Sequence, residues 1–269
     1  ASYSKNKIDW SPLQKMDVNS QSHDFSPRLV EGEDGAPRLF WISNRRGLGW
    51  EIWTSGIESG NVWGAARRVP LEKFMKLPAR AADNRQEGLL GFAAIQDSRG
   101  FWMLAVTPVD GKGIHIIATR DFETWARASI ADEGRRYYDP AIMQDKSGLY
   151  WLGAIDAGAK FRLFKSADAV AWGDSKSYAL GSYSRHWSGF VNSNYGSVAQ
   201  VAAYPVEMFS RQAGEVTLLF SDTLSGLQYA RFRPDVAEPA PDLVRDISLE
   251  PYAMTASGSG YIGAAWQGD

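Results

Sequence analysis

Residues 137–172 read YYDPAIMQDKSGLYWLGAIDAGAKFRLFKSADAVAW. Three runs rich in aromatic and aliphatic residues, YYDPAIMQ, LYWLGAID and KFRLFKS, are separated by DKSG and AGA and followed by SADAVAW. Short runs of this kind, bounded by Asp, Ser and Gly, are strands. A glycine placed at the turn supplies the positive φ that a tight hairpin needs. The stretch is therefore an antiparallel meander of three strands closed by a turn and Trp172. Asp139 stands immediately before Pro140, where the first strand begins.

The same pattern recurs along the chain. Aligned on the proline, FSPRLV (25–30), YDPAIM (138–143), YPVEM (204–208) and LEPYAM (249–254) share one beginning, and GFAAI (91–95) carries Phe92 in place of proline. Pro27 to Gly35, Phe92 to Gly100 and Pro140 to Gly148 are eight residues each, and Pro205 to Gly214 is nine. After each glycine comes an apolar run: APRLFWIS, FWMLAV, LYWLGAI, EVTLLFS and YIGAAW. A regular hairpin period of this length is the signature of a repeat architecture.

A second motif follows the hairpins at an offset. TRDFETW (119–125) and SADAVAW (166–172) share Ser/Thr-x-Asp-x-x-x-Trp, and SKNKIDW (4–10) repeats it with Asn6 in the Asp position. The hydroxyl and the carboxylate suit the capping of turn amides while the indole packs between sheets, so Asp121 and Asp168 read as turn formers. The fifth unit ends after two strands, and the N-terminus begins with what look like strands three and four. The expected fold is thus all-β, a five-bladed β-propeller in a single domain. Its blades span residues 24–70, 85–131, 136–180, 198–235 and 248–269, the last completed by residues 1–16, so that only short protected edges remain.

Helix is nearly absent from this pattern, with PLEKFMKL (70–77) sufficient for a turn or two. Residues 73–88, 180–197 and 233–247 read as long connections, the last a proline-rich spacer. Long loops on a rigid scaffold are where binding groups usually sit.

Composition closes off other functions. The 269 residues are 44% hydrophobic, 22% charged and near neutral at −2, which describes a chain able to bury a core but lacking the clustered Lys and Arg that nucleic acid requires. No apolar run approaches the roughly 20 residues of a membrane span. With no cysteines there is neither a disulfide framework nor a thiolate metal site. The chain begins with Ala, as a processed or excised chain would. Localisation outside the cytoplasm, secreted, periplasmic or at the cell surface, and a monomeric state are the accompanying expectations.

The order DP-x-x-x-x-D-x-x-G-x-Y-W-L, a third strand, then S-x-D-x-x-x-W resembles a blade of the five-bladed glycoside hydrolases: the family 43 arabinanases and β-xylosidases and related enzymes acting on furanosides and fructans. The Ser-x-Asp-x-x-x-Trp turn resembles the Asp-box of sialidases. The resemblance covers nearly the whole chain in its blade rhythm. It implies an inverting glycosidase with an Asp base at the start of blade one, a second Asp in blade three that orients the acid, and a Glu acid in blade four. Asp139 matches the second of these. Ser26 stands in the place of the base, with Asp24 two residues upstream, and Tyr204 in the place of the acid, with Glu207 three residues beyond.

In a propeller the first strand of each blade lines the central channel, so the residues before the aligned prolines, Ser26, Gly91, Asp139, Tyr204 and Glu250, ring its mouth. Inverting hydrolysis needs two carboxyl groups about 6.5–9.5 Å apart, and Asp139 with Glu250 or Asp24 supplies such a pair. Asp139 also has the plainer role of capping a strand entrance, Glu-Pro at residue 250 is an ordinary strand start, and His23-Asp24 is either an acid/base couple or a solvated loop. Residues 180–197 hold Arg185, His186 and Trp187, a ring face among polar donors that suits sugar stacking, and Arg135 and Arg136 are placed to grip an acidic glycan. His115, mid-strand, reads as packed. No phosphate loop, Ser elbow or zincin motif occurs. No cofactor is expected beyond a calcium ion held by channel oxygens. The sequence supports two functions, a glycosidase and a non-catalytic propeller that binds saccharide or protein.

Overall fold

The computed structural model describes residues 24–43, 45–46, 51–58, 62–76, 89–108, 112–158, 160–173, 175–179, 192–193, 196–197, 207–210, 214–222, 226–232, 242–247, 253–256 and 262–265. They form antiparallel sheets. In the first, β1 (Asp24–Glu31), β2 (Pro37–Ser43) and β3 (Glu51–Glu58) pair in order, and β4 (Val62–Trp63) and β5 (Arg67–Arg68) both pair with β3. The second is β6 (Leu89–Gln96), β7 (Trp102–Pro108), β8 (Ile114–Thr119) and β9 (Trp125–Ala131). The third is β10 (Tyr137–Gln144), β11 (Tyr150–Asp156), β12 (Lys160–Ser166) and β13 (Lys176–Ala179). A small pair, β14 (Asn192–Ser193) and β15 (Gly196–Ser197), precedes the fourth sheet of β16 (Glu207–Phe209), β17 (Val216–Asp222), β18 (Gly226–Phe232) and β19 (Asp242–Ile247). The last pair is β20 (Ala253–Ala256) and β21 (Ile262–Ala265). Among the described residues helix is limited to a single 3-10 turn, Leu71–Lys73, within the PLEKFMKL segment.

The turn glycines explain the hairpins. Gly35, Gly100, Gly148 and Gly214 have φ of 73°, 79°, 88° and 74°, a region closed to most L-residues by Cβ sterics and open to glycine. One expectation is corrected here. Residues 233–247 are not all spacer, because β19 begins directly after Pro241 and pairs with β18. Its residues carry backbone N–H groups that proline lacks, and they satisfy an edge of β18 that would otherwise lie unpaired.

The sheets pack face against face in chain order. Phe40, Ile42 and Ile52 of the first meet Phe92, Leu104, Val106 and Trp125 of the second. Met103 and Ile116 of the second meet Tyr150, Leu152 and Phe164 of the third, and Trp151 and Phe161 of the third meet Met208, Val216 and Leu218 of the fourth. Each such side chain contributes roughly 1.5–3 kcal/mol on full burial. The first strands lie beside one another: β1 contacts β6, β6 contacts β10, β10 contacts β16, β16 contacts β20, and β20 contacts β1.

Polar staples fasten neighbouring sheets. Gln96 Oε1 accepts the Glu33 amide at 2.6 Å, and Gln144 Oε1 accepts the Ser98 amide at 2.8 Å, the same contact repeated one sheet further on. Trp172 Nε1 of the third sheet donates to Ser129 Oγ of the second at 2.9 Å. In the turn before Trp172, Ser166 Oγ accepts the Ala169 amide at 2.9 Å, and Asp168 Oδ1 accepts those of Val170 and Ala171 at 2.8 and 2.9 Å. Thr119 and Asp121 hold Phe122, Glu123 and Thr124 in the same way. Both turns pass through a left-handed residue, Phe122 at φ 61° and Ala169 at φ 63°, which these hydrogen bonds hold in place.

Candidate functional site

The first strands enter with a shared irregularity. Pairing of β1 with β2 slips between Phe25 and Arg28, and that of β10 with β11 between Tyr138 and Ala141. At each slip the residue before proline turns left-handed, Ser26 at φ 51° and Asp139 at φ 47°. Such a conformation is strained for a residue with a Cβ, and a bulge of this kind re-aims a side chain. Asp139 is also buried, at 5% exposure, so a carboxylate is held out of water at a strained strand entrance.

The second sheet offers glycine at this level because space is lacking. A Cβ on Gly91 would stand 3.1 Å from Pro140 Cδ and 3.6 Å from Asp139 Cα. Asp139–Pro140 thus packs directly onto β6, and a side chain at position 91 would press on the Pro140 ring.

Opposite Asp139 lies a residue that proline alignment overlooks. Arg28 of β1 is 9% exposed and forms an ion pair with Glu207 of β16, each strand touching β20. Burial pulls the Arg28 pKa down to about 10, and the negative charge of Asp139 acts in the opposite direction. The guanidinium therefore lies within the field of two carboxylates drawn from different sheets. Among the described residues its Nε is buried with no hydrogen-bond partner. The ladder registers Arg28↔Phe40, Ala93↔Ala105, Ala141↔Gly153, Glu207↔Leu219 and Ala253↔Ala265 put Arg28, Ala93, Ala141, Glu207 and Ala253 at one equivalent position. Three alanines leave room for one Arg and one Glu.

Beyond this layer, toward the hairpin turns, a cavity of about 760 Å³ opens among the first three sheets and β16. Arg28 and Glu207 border it, while Ser26, Gly91 and Asp139 do not. The Arg28–Glu207 pair accordingly separates a strand-entrance end, holding Asp139, from a turn end.

The other expected site residues are placed as follows. Asp24 is the first residue of β1, paired with Ser43. Arg135 and Arg136 are exposed in the turn before β10, where Arg135 Nε lies 3.7 Å from Asp132 Oδ2. His23, Arg185, His186, Trp187, Tyr204 and Glu250 lie outside the described residues. His115 is packed in β8 at 8% exposure, and burial, with the charge of Arg127 second, lowers its pKa. Among the described residues no group of three or more His, Asp or Glu side chains is arranged to hold a metal ion, and no helix is long and apolar enough to cross a membrane.

No protein-family model matches the chain, and no curated protein matches it in sequence. Solved structures do. The chain superposes on a protein of unknown function from Dyadobacter fermentans with a TM-score of 0.60 at 13% identity, over 92% of this chain and 71% of that one. It matches an endo-arabinase from Bacteroides thetaiotaomicron with a TM-score of 0.51 at 11% identity, over 88% and 86% of the two chains. An α-L-arabinanase from Penicillium chrysogenum gives 0.52 at 13% identity over 89% and 74%. Galactanase and sialidase structures are similar at the same level. Apart from the protein of unknown function, these structural neighbours of the all-β chain are propeller glycoside hydrolases.

Proposed function

We propose that the chain is a five-bladed, carbohydrate-active propeller, closed by its own N-terminal strands, that takes a poly- or oligosaccharide at the Asp139 end of its central channel. The observation that carries this reading is the buried Asp139 carboxylate, held at positive φ on a bulge and facing the Arg28 guanidinium. Strain and burial at a polar residue concentrate where a ligand is handled. Hydrolysis then requires a second carboxyl group at the same end, which Glu250 or Asp24 would supply, with Trp187, His186, Arg185, Tyr204 and His23 contributing to the sugar site. The arabinanase, galactanase and sialidase neighbours set the first substrates to examine: arabinan, galactan and sialosides.

A second reading is a saccharide-binding propeller without hydrolysis. Ser26, which has the same left-handed conformation in the first sheet as Asp139 has in the third, is the observation that favours it, since its side chain is a hydroxyl where Asp139 has a carboxylate.

Turnover and binding measured in parallel on wild type and Asp139→Asn decide between them. A glycosidase loses turnover by about 10² to 10⁴-fold in Asp139→Asn while keeping affinity. A binding module shows no turnover in wild type and weakened affinity in the variant. Unchanged affinity and unchanged turnover would remove Asp139 from the site.

A further inference from the structure

We infer that the polysaccharide taken at the Asp139 end is an acidic one, whose repeated carboxylate or sulfate groups lie along a basic ridge beside the strand entrance. The inference rests on the saccharide reading of that end and names the class of chain it takes. The ridge is built from separate connections. Lys112 precedes β8, Arg135 and Arg136 precede β10, and Lys160 opens β12, all of them exposed. Backbone contacts set them side by side. The Gly113 amide donates to the Arg135 carbonyl at 2.7 Å, which brings the Lys112 connection of the second sheet against the turn that carries Arg135 and Arg136. Tyr137, next to Arg136, is paired with Asp156, and Asp156 Oδ1 accepts the Lys160 amide at 3.0 Å. The row therefore runs from the second sheet onto the third, with Arg136 three residues before Asp139.

The acids along this row leave much of its charge uncancelled. Asp132 takes the Tyr137 hydroxyl at 2.6 Å and lies 3.7 Å from Arg135 Nε. Asp156 Oδ2 takes Arg162 Nε at 2.8 Å, and Asp139 itself is buried in the field of Arg28. Glu133 is exposed in the same turn as the two arginines and offsets one cation. Among the described residues no ion pair holds Lys112, Arg136 or Lys160. Cations spread over separate connections, rather than gathered at one point, match a ligand whose charges repeat along a chain. Exposed pairs contribute little singly, so such a chain is held by several at once. Nucleic acid also repeats its charge, but a duplex is held through about six to ten phosphate contacts, more than this ridge supplies.

Polygalacturonate, with carboxylates alone, and dextran sulfate, with sulfates alone, are immobilised beside arabinan, galactan and duplex DNA. Binding is measured for wild type, the triple variant Lys112→Gln/Arg136→Gln/Lys160→Gln, Glu133→Gln and Asp139→Asn. The ridge side chains are exposed, so these substitutions leave the core untouched. One or both acidic polysaccharides should bind wild type more tightly than the neutral ones at about 0.01 M salt, with the advantage shrinking toward about 0.15 M. The triple variant should bind the acidic polymer roughly tenfold more weakly, as three exposed pairs lost together imply, with the neutral polymers unaffected. Glu133→Gln should bind it more tightly than wild type. The preferred polymer identifies the group recognised. Neutral polymers bound as well as acidic ones, no binding of either acidic polymer, wild-type affinity in the triple variant, or DNA bound as tightly as the acidic polysaccharide each overturns the inference. The saccharide reading of the Asp139 end fails on a different result, an Asp139→Asn protein unchanged on every polymer. Impairment of Asp139→Asn on neutral and acidic polymers alike, with no acidic preference in wild type, preserves that reading and overturns the ridge.

Discussion

The Tyr150 hydroxyl of the third sheet donates to Asp97 Oδ2 in the turn of the second at 2.7 Å, with both groups buried. Asp97 gathers Arg99 and the amides of Arg99 and Phe101 around the same carboxylate. The contact ties two sheets together at the end of their hairpins, where the apolar packing between them gives way to turns.

Tyr150→Phe keeps the ring and deletes the staple. A hydrogen bond to a charged group contributes about 1.5–3 kcal/mol, and a urea unfolding curve of the variant should show a loss of that size with saccharide binding unaltered. A variant as stable as wild type would mean that the contact contributes nothing.

Burial alone would push Asp97 up, but the Tyr150 hydroxyl, the Phe101 amide and Arg99 outweigh it and hold its pKa below the usual carboxylate range. Because the folded value is depressed, the stability it confers is complete above the unfolded value of about 3.9 and drains away as pH falls through the folded value. Asp97→Asn should therefore be less stable than wild type at pH 7, and the gap should close as pH falls below about 4. Denaturation midpoints followed from pH 7 to pH 2 test this, and a gap that stays constant contradicts it.

Ser26 repeats the Asp139 backbone conformation with a hydroxyl in place of the carboxylate. Ser26→Gly relieves a strained φ and should leave the protein as stable as wild type or better by about 1 kcal/mol. Ser26→Val should destabilise it by more than that. Thermal melts of the pair separate backbone strain from side-chain chemistry, and equal losses in both would show that the Ser26 side chain itself is needed.

The proposed closure of a fifth blade by the N-terminus rests on the last sheet having the two strands β20 and β21 and on the motif at residues 4–10, which lies outside the described residues. Deleting residues 1–16 should open the edge of the last hairpin and give an aggregating chain. Light scattering and a melting curve identical to those of the full chain would dismiss the closure.

The hairpins were legible because each needs a glycine at one place, and the glycines at 35, 100, 148 and 214 are indeed left-handed. The hydroxyl–carboxylate turns before Trp125 and Trp172 were legible for the same local reason. Asp139 stands out in the sequence from its place before a proline, and in the structure it is buried. The Arg28–Glu207 pair did not stand out, because aligning on proline places Arg28 one residue past the motif and Glu207 two. Counting seven residues back from each turn glycine aligns them, since ladder register is set by the turn and not by the strand entrance. What no count reveals is that the two side chains meet, for they come from strands 179 residues apart (207 − 28). The β19 strand was hidden behind prolines that end one residue before it.

The single Arg and single Glu in an otherwise alanine layer bear on assembly. A chain of near-identical hairpins has many wrong ways to pair, since any one of them presents much the same apolar faces to any other. Repeat architectures are prone to swapping and misordered docking for that reason. A buried cation and a partly buried anion at the same register, one in β1 and one in β16, make those two strands unlike the others at that position. Any shuffled order that leaves either charge without the other buries it alone, at a cost no exchange of alanines would repay. The pair thus acts as an address, telling the first and fourth repeats apart from their neighbours while the chain is still choosing its order.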